Sequence, residues 1–283
     1  MLNGKTDAAH LYLNLMKQCL TYSLWGETTE FVDSSDVRPL SKRLLLSGFL
    51  KVFERDNWRL VKMYPFDPAA RAEGRDWPPP PLAQTMIGLK RLDNLQACIE
   101  SVLRDDIPGD LIETGVWRGG AIIFMRAVLR AYDIRDRKVW AADSFEGLPP
   151  PDPQRYPADR GDPHHTLKFL SVAVEKVKEN AAKYDLLDDQ IQFLKGWFKD
   201  TLPGAPIKQL AVMRLDGDMY ESTMDALVSL YPRLSPGGYV IIDDYALQSC
   251  RRAVEDFRSD NAITDEIREI DQTAVYWQRS RTG

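Results

Sequence analysis

The sequence predicts an α/β protein, a doubly wound and mostly parallel sheet behind a helical N-terminal extension. Three observations carry that expectation. From Gly109 onward, short apolar runs alternate with amphipathic helical stretches, the pattern of strands joined by crossover helices. The runs Leu210–Leu215 and Gly238–Ile242 are continuously apolar or nearly so, as strands covered on both faces are. The first run of the alternating region passes straight into a glycine-rich turn and a helix.

The elements follow in order. Residues 8–22 have helical apolar spacing (Leu11, Leu13, Leu15, Met16, Leu20), and residues 39–53 form a second candidate helix with Pro39 in its first turn. The segment from Asn57 to Tyr64 leads into a stretch rich in proline and charge. Pro78 to Pro81 exclude helix or central strand there. A helix is expected over 92–103. Strands are then expected at 110–114, 138–143, 190–195, 210–215 and 238–242. Helices are expected at 121–132, 168–184, 220–234 and 251–259, and the tail (267–271, 274–279) as a closing antiparallel pair. The division is a helical, lid-like extension over 1–90 and a catalytic domain over 91–283. Residues 146–166, with six prolines and the pair His164-His165, interrupt the alternation. A loop of that length inside a compact domain has a function.

Composition narrows the functional classes. The 283 residues are 44% hydrophobic and 28% charged, ordinary for a globular chain. A net charge of −5 disfavours nucleic acid as partner. No apolar run reaches the roughly 20 residues that cross a bilayer, and no secretory signal is read, so a cytoplasmic place is expected. Cys19, Cys98 and Cys250 are too scattered for a disulfide framework or zinc site.

The chemistry concentrates at strand ends, beyond which ligands bind in open parallel sheets. Asp216 and Asp218 close one apolar run, and Asp243 and Asp244 another. Carboxylates gathered so closely need a cation or bound protons to compensate, and oxygen-only ligands favour a hard ion such as Mg²⁺. Asp218, just before the 220–234 helix and with Glu221 three residues on, reads as a helix cap rather than a ligand. The turn Glu113-Thr114-Gly115-Val-Trp-Arg-Gly119-Gly120 lacks both the dinucleotide fingerprint and the phosphate-loop lysine. Its carboxylate suits a cationic ligand such as S-adenosylmethionine. Asp143-Ser144 at the next strand end suits ribose hydroxyls, and Gly196-Trp197-Phe198 at the third suits adenine.

These residues resemble the macrocin O-methyltransferase (TylF-like) family. The resemblance covers roughly residues 80 to 275. It rests on Ile112-Glu-Thr-Gly-Val-Trp-Arg-Gly-Gly120, Ala142-Asp-Ser-Phe-Glu-Gly-Leu-Pro149, Gly196-Trp-Phe-Lys-Asp-Thr-Leu-Pro203, Leu215-Asp-Gly-Asp-Met-Tyr-Glu-Ser-Thr223 and Gly237-Gly-Tyr-Val-Ile-Ile-Asp-Asp-Tyr245, with Thr85–Asn94 alongside. It implies a Rossmann-like class I methyltransferase fold. It also implies S-adenosylmethionine and Mg²⁺ as cofactors, and a sugar hydroxyl of a glycosylated natural product, a macrolide or other antibiotic, as acceptor. Metal ligation is implied for Asp216, Asp243 and Asp244. Cofactor contacts are implied for Glu113, Thr114, Gly115, Asp143, Ser144, Gly196, Trp197 and Phe198. A homodimer, with N-terminal elements helping to cover the site, is implied as well. The proton acceptor is read as Asp216, with His164 and His165 as rivals. The lysine that catechol O-methyltransferase carries three residues after its first aspartate is Met219 here. A phenolic acceptor is the alternative, and a nicotinamide-dependent oxidoreductase or non-catalytic scaffold stands further off. The aromatics Tyr64, Phe66, Trp77 and Tyr156 suggest a wide apolar acceptor site.

Overall fold

The structure, a computed structural model, describes residues 3–25, 28–31, 61–64, 67–74 and 79–281, together with 41–42, 44 and 46–48. Helix α1 (Asn3–Leu20) begins earlier than its apolar spacing suggests. The expected helix over 39–53 lies largely outside the described residues; the positions described there are helical. Strands β1 (Thr28–Phe31) and β2 (Val61–Tyr64) pair antiparallel. Helix α2 (Pro68–Glu73) carries proline in its first turn, an Asp67 cap at its start and Gly74 at φ +66° at its end. Helix α3 (Leu89–Arg104) leads into the alternating region.

That region runs β3 (Asp110–Thr114), α4 (Gly120–Ala131), β4 (Val139–Asp143), α5 (Val174–Lys183), β5 (Ile191–Lys195), α6 (Phe198–Thr201), β6 (Leu210–Leu215), α7 (Tyr220–Leu230), β7 (Leu234–Ile242), α8 (Gln248–Asp260), β8 (Arg268–Glu269) and β9 (Val275–Gln278). The seven strands of this sheet lie in the order β5-β4-β3-β6-β7-β9-β8, and β9 alone runs against the others, antiparallel to both β7 and β8. Strand order reverses between β3 and β6, so the carboxyl ends of those two strands flank the crevice where open sheets bind ligands.

Neighbouring strand residues serve opposite faces. Leu111, Val139, Val212 and Ile241 join the core beneath α1, α3, α4 and α5. Ile112, Trp140, Met213 and Val240 join the core beneath α7 and α8. Helix α1 is part of the first core through Leu13, Met16 and Leu20, each at most 5% exposed.

Several expected boundaries move. The helix expected from 168 begins at Val174, because Lys168–Leu170 form a 3₁₀ turn and the Phe169 carbonyl accepts the Trp117 indole N–H at 2.9 Å. The 220–234 helix ends at Leu230, where Pro232 enforces a 3₁₀ turn. Strand β7 starts at Leu234, four residues early. Among the described residues no helix is long and apolar enough to cross a membrane.

Candidate active site

The glycine turn and the end of β6 touch. Gly115 has φ +85°, and a Cβ there would sit 1.7 Å from the Asp216 carbonyl oxygen, so only glycine fits. Asp216 N–H donates to the Thr114 carbonyl (2.9 Å), which continues the sheet into the crevice. Gly120 N–H donates to the Gln84 carbonyl (3.0 Å), and a Cβ on Gly120 would strike Thr85. The segment before α3 is therefore packed directly on the turn.

A cavity enclosing about 740 Å³ of space open to solvent crosses these strand ends. Gly115, Trp117, Asp143, Ser144, Trp197 and Phe198 line one part, and Asp216, Gly217 and Asp218 another. Asp143 ties its neighbours together: Oδ2 accepts from Val116 N–H (2.6 Å) and Oδ1 from Phe145 N–H (2.7 Å). Burial raises its pKa above the usual carboxylate value, against the pull of those N–H donors. Ser144 Oγ donates to the Gly147 carbonyl (2.6 Å) and shapes the following turn. Gly196 N–H donates to the Asp143 carbonyl (2.9 Å), which brings the third strand end alongside.

Glu113 and Thr114 are set back from the cavity wall. Glu113 is 2% exposed, and its Oε1 accepts from Arg214 at 2.5 Å. Its Oε2 and the Thr114 hydroxyl are buried with no hydrogen-bond partner among the described residues. Burial pushes the Glu113 pKa up to about 8, with Arg214 pulling it down.

The carboxylates fall into two groups. Asp243, expected as a metal ligand, has both oxygens occupied by arginine: Oδ1 by Arg214 and Oδ2 by Arg91, each at 2.5 Å. Arg91 also pairs with Asp271 (2.7 Å) and donates to the Thr273 hydroxyl. Arg214 further donates to Asp216 Oδ2 at 2.9 Å. The oxygens that converge are those of Asp216, Asp218 and Asp244, all within 4.8 Å of one another. Asp218 and Asp244 pair with no lysine or arginine among the described residues; the Asp218 N–H donates to Asp244 Oδ2 (3.1 Å). Burial and then the neighbouring carboxylates raise all three: Asp216 to about 6, Asp218 to about 7, and Asp244 well above its ordinary value. Three convergent carboxylate oxygens at raised pKa fit a hard divalent cation.

Asp218 is not the helix cap its position suggests. The cap position of α7 is Met219, which offers no side-chain bond, and Asp218 itself sits at φ +56°. The capping carboxylate is Asp159, from the proline-rich loop: it accepts from Tyr220 N–H at 2.7 Å and Glu221 N–H at 3.0 Å. In the same loop, Asp162 brackets His164 Nδ1 at 2.9 and 3.0 Å, whereas His165 is exposed. Of the expected acceptor-site aromatics, Tyr156 packs on the Tyr220 ring (centroids 5.9 Å apart), while Phe66 and Trp77 lie outside the described residues.

Sequence reasoning missed Arg91, Arg214, Asp159, Asp162 and the acidic cavity residues Glu221 and Asp225. Only Arg214 left a signal, as the single charge inside the apolar run Leu210–Leu215.

Comparison with known proteins places this geometry among methyltransferases. Residues 9–279 match the family model described as macrocin-O-methyltransferase (TylF). The chain is 54% identical over 275 residues (97% of this chain, 94% of the relative) to the 8-demethyl-8-(2,3-dimethoxy-alpha-L-rhamnosyl)-tetracenomycin-C 4'-O-methyltransferase of Streptomyces olivaceus. It is 53% identical over 224 residues (78% and 87%) to the mycinamicin III 3''-O-methyltransferase of Micromonospora griseorubida. Among solved structures, the O-methyltransferase NovP superposes with a TM-score of 0.81 at 45% identity, covering 96% of this chain and all of that one.

Proposed function

The chain belongs to the macrocin O-methyltransferase family, and from that premise we propose that it moves a methyl group from S-adenosylmethionine to a sugar hydroxyl of a glycosylated natural product, with Mg²⁺. The observation that carries this reading is the cavity joining the strand ends of β3, β4 and β5 to Asp216 and Asp218 after β6, two of the three convergent carboxylates. Its mixed apolar and acidic lining suits a ligand with a flat ring at one end and a hydroxyl at the other.

When bound, Mg²⁺ supplies acidification of the acceptor hydroxyl, and S-adenosylmethionine supplies an electrophilic methyl group. Trp197 and Phe198 would flank the adenine, Gly196 gives their turn its shape, and Asp143 with Ser144 would face the ribose. From behind the cavity wall, Glu113 Oε2 would supply an acceptor oxygen toward the ammonium group of the cofactor, and the Thr114 hydroxyl lies beside it in sequence; neither has a hydrogen-bond partner among the described residues. Gly115 gives backbone access where any side chain would collide.

Asp216, Asp218 and Asp244 offer the metal-binding oxygens. Asp243 joins that set only by releasing an arginine. The acceptor proton goes to Asp218 rather than to Asp216, because Arg214 holds one Asp216 oxygen and weakens it as a base. His164 is the second candidate, oriented by Asp162, and His165 the third. The Asp218 carboxylate would take the hydroxyl proton that methyl transfer to the oxygen releases, the cofactor supplying the methyl group and its sulfur keeping the electron pair. Positioning and exclusion of water supply most of the acceleration. Residues 1–90 are assigned as an extension covering the site, 91–283 as the transferase domain. A homodimer and a cytoplasmic place complete the proposal.

Labelled S-adenosylmethionine, incubated with a rhamnosylated polyketide or its aglycone, with and without a chelator, tests the reading. Label on the sugar of the glycoside, abolished by chelation and restored by Mg²⁺, is the expected result. Label on the aglycone would move the assignment to phenolic acceptors, and no transfer to either would remove it.

A further inference from the structure

Residues 144–173, which carry the proline-rich loop, cross the mouth of the cavity. Gly147, Leu148 and Pro149 at their start and Leu170 near their end line it. Between these points one side chain is almost completely buried: Asp159 is 1% exposed. Its two carboxylate oxygens take the first two N–H groups of α7, 61 and 62 residues further along the chain. A helix start whose own cap residue is methionine thus receives its cap, and a favourable negative charge at its dipole, from the loop. Helix α7 begins directly after Asp216-Gly-Asp218, so the residue that docks the loop also fixes the helix on which the carboxylate turn rests.

The loop is folded around that bond. Asp159 N–H donates to the Tyr156 carbonyl (3.0 Å), and Asp162 N–H to the Asp159 carbonyl (3.1 Å). Tyr156 stacks against Tyr220. Three residues beyond Asp159, Asp162 accepts from His164 N–H (2.8 Å) and holds its ring. A second fastener, the Trp117 indole to the Phe169 carbonyl, secures the far end of the loop to the glycine turn.

We infer that Asp159 is a positioning residue: it locks the proline-rich loop to the start of α7, closing the acceptor side of the cavity and fixing the helix that follows the carboxylate turn. This rests on the proposed methyl-transfer reading for its consequence, but not for its geometry. The N-cap bonds are lost in Asp159→Ala, while Asp159→Asn retains one acceptor oxygen for two donors.

Limited trypsin digestion of the full chain, without metal or substrate, reads the docking directly at Arg155 and Arg160, both exposed within the loop. Asp159→Ala should be cut there about tenfold faster than the parent protein, and Asp159→Asn at an intermediate rate. With an accepted glycoside, kcat/KM should fall about 100-fold in Asp159→Ala through the acceptor terms, with S-adenosylhomocysteine affinity within about twofold of the parent. A cap of purely structural role would lower Tm while leaving the loop protected and the acceptor KM unchanged. Equal cleavage in parent and variant, read on Asp159→Asn if Asp159→Ala does not fold, overturns the inference. Faster cleavage in a protein that methylates no glycoside would uphold the docking and remove only the proposed acceptor.

Discussion

Two groups of carboxylates stand a few ångströms apart at one end of the sheet, and they are treated in opposite ways. The rear group, Glu113, Asp243 and Asp271, is neutralised by Arg214 and Arg91 through bonds of 2.5 to 2.7 Å. The front group, Asp218 and Asp244 with Asp216 at the boundary, is crowded within 4.8 Å, and among the described residues only Asp216 of the three has an arginine. The adjacent residues Asp243 and Asp244 belong to different groups. Burying a charge is costly unless a partner is supplied; both oxygens of Asp243 have one, whereas Asp218 and Asp244 pair with no lysine or arginine among the described residues. The difference separates an arginine-paired network from a candidate cation site.

The largest test of that contrast removes the shared cation. Arg214→Met should cost about 3–5 kcal/mol by denaturant unfolding, since Glu113 and Asp243 would then be buried with too little positive charge. A loss under about 1 kcal/mol would break the comparison. Next, Asp244→Asn should weaken Mn²⁺ binding by more than about 100-fold, whereas Asp243→Asn should weaken it by about tenfold, acting through its neighbours. Equal losses would merge the two groups and restore Asp243 as a ligand.

The smallest effect is a pH dependence. The folded pKa values of Asp216 (about 6) and Asp218 (about 7) lie above the ordinary value of 3.8, so the metal-free folded state holds more protons than the unfolded chain in this window. The stability contributed by these groups is therefore present at about pH 4 and lost as pH rises through 6 and 7. A divalent cation must displace those protons. The rise in Tm caused by Mg²⁺ should accordingly be negligible near pH 5 and grow between pH 6 and 8. A rise independent of pH would place the ion elsewhere.

The legible part of the molecule was local. The buried strands declared themselves because apolar runs such as Leu210–Leu215 have no other stable arrangement. The glycine turn was readable because Gly115 meets a constraint no other residue satisfies. The cluster of aspartates was visible as a concentration of charge, but its sorting was not. That depends on Arg91 and Arg214, whose reach across the sheet is fixed only in three dimensions. Asp218 resembled a cap because spacing alone cannot reveal a competitor 61 residues away. The 168–173 stretch reads as helix by composition, but the Trp117 indole bond to Phe169 holds it otherwise.

The central claim, that the front carboxylates form a divalent-cation site, is tested most directly by titrating Mn²⁺ into the metal-stripped protein while free Mn²⁺ is followed by electron paramagnetic resonance. The account predicts one ion bound per chain, displaced by Mg²⁺ and lost in Asp244→Asn. Absence of stoichiometric binding, or binding that survives Asp244→Asn unchanged, would contradict it.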